Sequence, residues 1–125
     1  MKEFWDQRYS QKEYAYGETP NEYFRKEITA LTPGKILMPA DGEGRNGVFA
    51  ATLGWQVDAF DISSEGKRKA DLLADKHKVS IHYVIGACGK LTYPENSFDA
   101  IALVYMHLPP SIMAECHRQL VEYLK

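Results

Sequence analysis

The feature that most constrains this chain is an apolar run at 36–40 that ends in the glycine-rich turn Asp41–Asn46, with Asp61 nineteen residues after Gly42. The apolar run predicts a buried strand, and glycines allow the backbone to approach a ligand closely. A carboxylate at the end of the next strand can accept both hydrogens of a ribose diol. The segment therefore predicts a strand–loop–helix unit that binds a nucleotide.

The composition narrows the possible partners. The 125 residues are 45% hydrophobic and 26% charged, which is typical of one globular domain. A net charge of −2 without a lysine or arginine cluster argues against a nucleic-acid partner, because phosphate contacts need concentrated basic charge. The N-terminus lacks the apolar core of a signal peptide, and no run reaches the roughly 20 apolar residues of a membrane span. We therefore expect a cytoplasmic protein with no membrane partner.

The cysteines and histidines indicate no metal site. Cys88 and Cys116 are the two cysteines and lack CxxC spacing, so we expect both to be reduced and no disulfide framework. Three histidines, His77, His82 and His117, show no metal-ligand spacing. No metal is expected.

The order of the predicted elements indicates the fold. Helices are predicted at Lys2–Tyr9 and Asn21–Leu31, separated by a polar, aromatic lid candidate at 11–20. Strands and helices then alternate, which predicts an α/β, Rossmann-like, doubly wound and mostly parallel sheet. The predicted parts are an N-terminal helical segment, 1–34, and a cofactor-binding core, 35–125. The core elements are strand 35–38, helix 45–53, strand 56–60, helix 63–76 with Ser63 as N-cap, strand 81–85, strand 99–105 and helix 111–124.

Three motifs in order carry a family resemblance. Gly42, Gly44 and Gly47 satisfy GxGxxG, which alone is typical of NAD-binding proteins. However, dinucleotide folds usually have an extra helical turn before the acidic residue. With the segments 60–63 and 94–101, the turn resembles that of the class I S-adenosylmethionine-dependent methyltransferases. The opening at 4–9 is similar to that of the thiopurine and tellurite-resistance branch. The resemblance covers nearly the whole chain and implies S-adenosylmethionine as cofactor and a small-molecule methyl acceptor.

The resemblance also implies the roles of particular residues. Gly42 and Gly44 would line the aminoacyl and ribose portion of the cofactor, Asp61 would bind the ribose hydroxyls, and Ile62 would pack on adenine. Asp61 as a surface or capping residue and Ile62 as a core residue are the structural alternatives. The full predicted cofactor set is Asp41, Gly42, Gly44, Asn46, Asp61, Ile62, Ala87, Cys88 and Tyr105.

A catalytic candidate follows the fourth strand. His107 lies at the carboxyl end of that strand, where open parallel sheets bind ligands, and imidazole titrates near neutrality. His107 is therefore the candidate that deprotonates or orients the acceptor, with a structural role before the proline pair as the alternative. Trp5, Tyr9 and Tyr16 are either packing residues or a lid over the methionine end.

Three positions depart from the family pattern. Met38 stands where the family usually has an acidic residue, and Ala40 replaces the first glycine. Ala87 stands where an aspartate commonly accepts from the adenine amino group, so one hydrogen bond worth about 0.5 to 1.5 kcal/mol is missing. Asp41 is a carboxylate that can compensate for Met38. These departures favour, as an alternative, a non-catalytic domain of the same fold; an NAD-binding oxidoreductase is the other alternative.

The end of the chain predicts self-association. Family members continue beyond the position of Lys125, so about four of the usual seven strands are expected here. The fourth strand, 101–105, would then form an apolar sheet edge, and such an edge pairs readily with another chain. We therefore expect a homodimer joined at that edge.

Overall fold

A computed structural model describes residues 2–10, 13–88, 90–104 and 110–125. The elements are α1 (Lys2–Tyr9), α2 (Glu22–Thr29), β1 (Lys35–Pro39), α3 (Arg45–Thr52), β2 (Gln56–Asp61), α4 (Ser64–Lys76), β3 (His82–Ile85), β4 (Ala100–Ile101) and α5 (Pro110–Glu122). Strands and helices alternate from β1 to β3, as the sequence predicts, and β4 then follows β3 without a helix between them in the described residues. None of the described helices is long and apolar enough to cross a membrane.

The four described strands form one parallel sheet in the order β3-β2-β1-β4. β1 pairs with a strand on each side, and its residues 36–39 are all buried. Parallel neighbours require crossover connections, and the connecting helices cover the faces of the sheet. The predicted Rossmann-like α/β fold is confirmed.

Side chains of β1 alternate between two cores, because successive residues of a strand point to opposite faces. Ile36 and Met38 join a cluster that includes Phe24 and Ile28 of α2. Leu37 joins the other cluster, with Phe60, Phe98 and side chains of α5. The continuous apolar run of β1 therefore reflects burial on both faces, which places the end of this strand at the centre of the domain.

Most predicted boundaries agree with the structure to within two residues, and the predicted N-cap of α4 is confirmed because Ser63 Oγ accepts from Gly66 N at 3.0 Å. The main difference is β4, predicted over 99–105. Ladder pairing covers Ala100 and Ile101, and Ala102 N donates to Leu37 O at 3.1 Å before pairing with β1 ends. Apolar character predicted a longer strand, but the next residue of β1 that would donate on this side is Pro39, which has no N–H, so the ladder ends there.

The two cysteines are bonded to each other, so the prediction of two reduced cysteines is wrong. Cys88 follows β3 and Cys116 lies on α5, with Cα atoms 5.8 Å apart and a separation of 28 positions in sequence. That Cα distance lies within the range of disulfides. Spacing in the sequence carried no signal, because the two residues meet only when α5 packs on the face of the sheet that holds Leu37 and Phe60.

Candidate functional site

A cavity of about 120 Å³ opens at the carboxyl end of β1. Its floor is formed by residues 38–43 with Arg45 and Asn46, and Ala102 and Val104 close one side. Aromatic side chains of the N-terminal segment form the opposite wall: Trp5, Tyr9 and Tyr16. The cavity therefore lies where open parallel sheets bind their ligands.

The glycines of the turn are required by the packing of the chain itself. Gly42 and Gly44 have φ of +57° and +85°, which side-chain-bearing residues rarely adopt. A Cβ atom at Gly42 would lie 2.7 Å from the Tyr9 hydroxyl, and one at Gly44 would lie 2.6 Å from Ala70 Cβ. Ala40, in the place of a family glycine, also has a positive φ of 54°. The turn is thus held closely between α1 and α4.

Asp61 fastens this turn to the start of α4. Its Oδ2 accepts from Gly42 N at 2.9 Å and its Oδ1 accepts from Ser63 N at 3.1 Å. The carbonyl of Gly42 in turn accepts from Tyr83 Oη. Asp61 is 7% exposed, and burial raises its pKa. The residue predicted to bind ribose therefore organises the turn, and it does not line the cavity.

Asp41 is the carboxylate with the least favourable surroundings. Burial, followed by the charge of Asp61, raises the pKa of Asp41 well above its usual value, and the nearby Gly47 N–H opposes this shift. A Cβ atom at Gly47 would lie 2.5 Å from Asp41 Oδ2. The third glycine of the GxGxxG pattern thus leaves room for the Asp41 side chain.

Helix α1 covers the start of α4. Asp6 accepts from Ser63 Oγ at 2.6 Å and from Glu65 N at 3.4 Å. Hydrogen bonds from Lys2 and then Ser63 lower the pKa of Asp6 to about 2. The ring of Trp5 stacks on that of Tyr9 at 5.5 Å between centroids. These contacts place the N-terminal aromatic residues beside the glycine turn.

Tyr16 continues the same wall from the following loop. The guanidinium groups of Arg8 and Arg45 lie 5.1 and 5.8 Å from the centroid of its ring. Arg45 also donates to Thr19 O at 3.4 Å. Burial raises the pKa of the Tyr9 hydroxyl, so this group is protonated at neutral pH. Sequence reasoning proposed the three aromatic residues as a lid and omitted Arg45, whose place in the wall depends on the loop folding back.

The predicted cofactor residues fall into three groups. Asp41, Gly42 and Asn46 line the cavity, although Asn46 Oδ1 also accepts from Asn21 N at 2.8 Å. Tyr105 and the catalytic candidate His107 lie outside the described residues. The others lie beside the cavity without lining it: Gly44, Asp61, Ile62, Ala87 and Cys88.

The fold and the glycine turn define a Rossmann-like domain with a cavity at the end of β1. The family described as "Methyltransferase domain" matches residues 36–125. This chain belongs to that family, so the predicted membership is confirmed at this level.

Solved structures agree with the fold. One is the structure described as "Conversion of a Disulfide Bond into a Thioacetal Group during Echinomycin Biosynthesis", whose sequence is 20% identical to this chain. The two folds superpose with a TM-score of 0.84, and the similarity covers 100% of this chain and 56% of that one. An S-adenosylmethionine-dependent methyltransferase from Thiobacillus denitrificans, in complex with S-adenosyl-L-homocysteine, is 18% identical, with a TM-score of 0.76 over 100% and 52%. This chain spans about half the length of both. No curated protein matches the sequence.

A third structure shows the same fold inside a longer protein. Phosphoethanolamine N-methyltransferase 1 from Haemonchus contortus, in complex with phosphoethanolamine and S-adenosylhomocysteine, is 20% identical, with a TM-score of 0.77. The similarity covers 99% of this chain and 29% of that one. At this identity the likeness concerns the fold.

Gly44→Ala and Gly17→Ala should separate backbone strain from close packing. Both glycines have φ near +85°, but a Cβ at Gly17 would meet no atom within 4 Å. Gly17→Ala should cost about 1 to 2 kcal/mol of unfolding free energy through backbone strain. Gly44→Ala should cost about 1 to 3 kcal/mol more, because it overpacks Ala70. Urea denaturation measures both, and equal losses would contradict the close packing of α4 on the turn.

Asp41→Asn should raise the free energy of unfolding at neutral pH, because the amide has a similar shape and no charge to bury. The folded pKa of Asp41 is raised, so the wild type is destabilised above that pKa and recovers as the pH falls toward the unfolded value of 3.8. The two curves should therefore converge in acid.

Asp99→Asn is the control, because the contribution of Asp99 to the free energy of unfolding depends on pH in the opposite direction. A hydrogen bond from Lys35 N and then one from Lys125 lower the pKa of Asp99, so its stabilisation is present at neutral pH and is lost as the pH falls. Urea denaturation between about pH 2 and about pH 8 covers both transitions, because the loss for Asp99 lies below its unfolded value of 3.8 and the recovery for Asp41 lies above it. A less stable Asp41→Asn variant at neutral pH would refute the argument for Asp41.

Proposed function

We propose that this chain is the cofactor-binding part of an S-adenosylmethionine-dependent methyltransferase that acts on a small-molecule acceptor. The observation that carries the proposal is the cavity at the end of β1, whose floor is the glycine turn at 41–46. Membership of the methyltransferase domain family supports the same activity. The branch suggested by residues 4–9 stays a prediction, as does a cytoplasmic location.

The residues around the cavity fit the methionine end of this cofactor. Arg45 is a cation suited to a carboxylate, and Asp41 is a carboxyl group whose ionised form an ammonium group would favour, against the burial that raises its pKa. Faces of Trp5, Tyr9 and Tyr16 attract a sulfonium, because aromatic rings carry negative charge on their faces. The donor set therefore complements each charged group of the methionine portion.

The adenosine end needs more room than the described cavity provides. Pockets for ligands of this size measure roughly 300 to 1,000 Å³, whereas this cavity measures about 120 Å³. Helix α1 packs over Asp61 and Ser63 through Asp6, on the side where the predicted ribose contact lies. Binding of the whole cofactor thus involves a shift of α1 relative to α4.

The cofactor supplies an activated methyl group when bound, so the chain needs mainly to orient the two reactants. Hydrogen bonds to Asp61 and Tyr83 fix the backbone of Gly42, which keeps the floor of the cavity rigid. Tyr9 and Tyr16, on the aromatic wall, exclude water from the cavity. His107 remains the candidate for deprotonating or orienting the acceptor.

A small acceptor fits the charge and the dimensions of this site. The net charge of −2 offers no surface for a phosphate backbone. The similar fold of the Haemonchus contortus enzyme, in complex with phosphoethanolamine, supports the same class of acceptor. An alternative is a non-catalytic domain of this fold, which is favoured by Met38: this side chain is buried in the core where the family usually has an acidic residue.

Calorimetric titration with S-adenosylhomocysteine and NAD tests the proposed cofactor. We expect S-adenosylhomocysteine to bind and NAD not to bind. Arg45→Met should weaken binding by about tenfold or more, because hydrogen bonds between charged groups contribute about 1.5 to 3 kcal/mol. Arg68→Met is the matched control, since Arg68 pairs with Glu65 on the exposed face of α4. Absence of binding to S-adenosylhomocysteine at millimolar concentration would overturn the proposed cofactor.

We also propose that two copies associate through the edge of β4. Leu103 and Leu31 are 44% and 51% exposed beside this edge, and they line a groove between α2 and β4. The start of the edge is occupied by the chain itself, since Phe98 N donates to Tyr123 O and Lys125 N donates to Phe98 O. Residues 102–104 are therefore the proposed contact.

Light scattering tests this association. Leu103→Lys should convert a dimer to a monomer, because a charge at the contact opposes strand pairing. Leu72→Lys is the control, since Leu72 is 53% exposed on α4. A wild-type monomer at about tens of micromolar protein would refute the proposed dimer.

A further inference from the structure

Glu43 and Lys69 form an ion pair inside the protein. Lys69 Nζ lies 2.5 Å from Glu43 Oε2, and the two side chains are 3% and 4% exposed. Glu43 belongs to the glycine turn, and Lys69 lies on the second turn of α4. Removing two charges from water is costly, and apolar residues of similar volume often stabilise a protein as well or better. A pair so deeply buried therefore invites a role other than stability.

The remaining polar groups of the pair bind three consecutive residues of the N-terminal segment. Lys69 Nζ donates to Glu13 O at 2.5 Å, and Glu43 Oε1 accepts from Ala15 N at 2.6 Å. Tyr14 Oη donates to Lys69 O at 2.8 Å, and the ring of Tyr14 lies 4.7 Å from Lys69 Nζ. Residues 13–15 are thus attached at each position to either the glycine turn or α4.

This attachment determines where the aromatic wall lies. Tyr16 directly follows the attached residues and lines the cavity, and Glu43 lines the floor opposite. Gly17 N donates to Tyr14 O at 3.2 Å, which closes a turn around Tyr16. Tyr16 is 50% exposed, even with Arg8 and Arg45 beside its ring. Packing of the ring therefore does not hold this residue in place. The pair supplies the anchorage that the ring itself lacks.

We propose that Glu43 and Lys69 are positioning residues that hold segment 13–16 over the cavity, so that Tyr16, the part of the wall outside α1, is already in place when the cofactor binds. The identity of the ligand in this inference rests on the proposed function, whereas the anchorage of segment 13–16 does not. A preformed wall strengthens binding, because a site populated one tenth of the time binds about tenfold more weakly. Neither residue acts on the reacting atoms.

The test is the double variant Glu43→Met/Lys69→Met, because a glutamine at 43 would still accept from Ala15 N. It removes both charges together, so neither is left buried and unpaired, and it keeps the side-chain lengths. Hydrogen exchange followed by mass spectrometry reports on the amides of Ala15 and Gly17, and calorimetry reports on S-adenosylhomocysteine. We expect exchange at both amides to be faster by about tenfold and binding to be weaker by about the same factor.

A matched control lies on the same helix. Lys67 and Asp71 form an exposed pair at 2.6 Å, so Lys67→Met/Asp71→Asn removes the same kind of contact away from the cavity. It should leave exchange and binding within about twofold of the wild type. If the Glu43 and Lys69 double variant also stays within that limit for both measurements, the positioning role is refuted.

Two further outcomes keep the proposals distinct. If the wild type does not bind S-adenosylhomocysteine but the double variant exchanges faster at Ala15, the proposed cofactor fails and the anchorage stands. If the double variant does not fold, the wild type decides, because Ala15 N donates to Glu43 Oε1 and this amide should be protected from exchange. Exchange at Ala15 as fast as in an unstructured peptide would then overturn the anchorage.

Discussion

The close approach of α4 to the glycine turn is the constraint on which the rest of the structure depends. Gly44 faces Ala70 at a distance that leaves no room for another carbon, and a Cβ at Gly66 would lie 2.9 Å from Gly42 O. Asp61 then joins the turn to the start of α4 through two backbone N–H groups. Because the helix and the turn lie this close, α1 and the segment that follows it can rest on both at once.

Four carboxylates surround this junction, and the structure compensates each in a different way. Asp61 receives backbone hydrogen bonds, Glu43 is paired with Lys69, and Asp6 accepts from Ser63 and Lys2. Asp41 is the least compensated, which is why burial raises its pKa so far. An ammonium group beside Asp41 would supply the compensation that this carboxyl group lacks. The electrostatics and the proposed cofactor are thus consistent.

Much of the fold could be predicted from residue patterns, because the determinants are local. The run at 36–40 is apolar at each position since β1 is buried on both faces, and Ser63 precedes α4 as its N-cap. The strand after Asp99 was predicted too long, since its pairing depends on the donors that β1 offers beside it, and Pro39 has no N–H. The disulfide between Cys88 and Cys116 was missed, because it depends on how α5 packs across the sheet.

The sequence by itself determined the family and the place of the site, since the spacing from Gly42 to Asp61 follows from the lengths of one helix and one strand. Only the tertiary structure decided what these residues do. Asp61 organises the turn, because the nearest donors to its carboxylate are backbone N–H groups of its own chain. Glu43 and Lys69 meet residues 13–15 from positions 28 to 56 residues away in sequence. Contacts of that range depend on how the elements pack, and no local pattern records them.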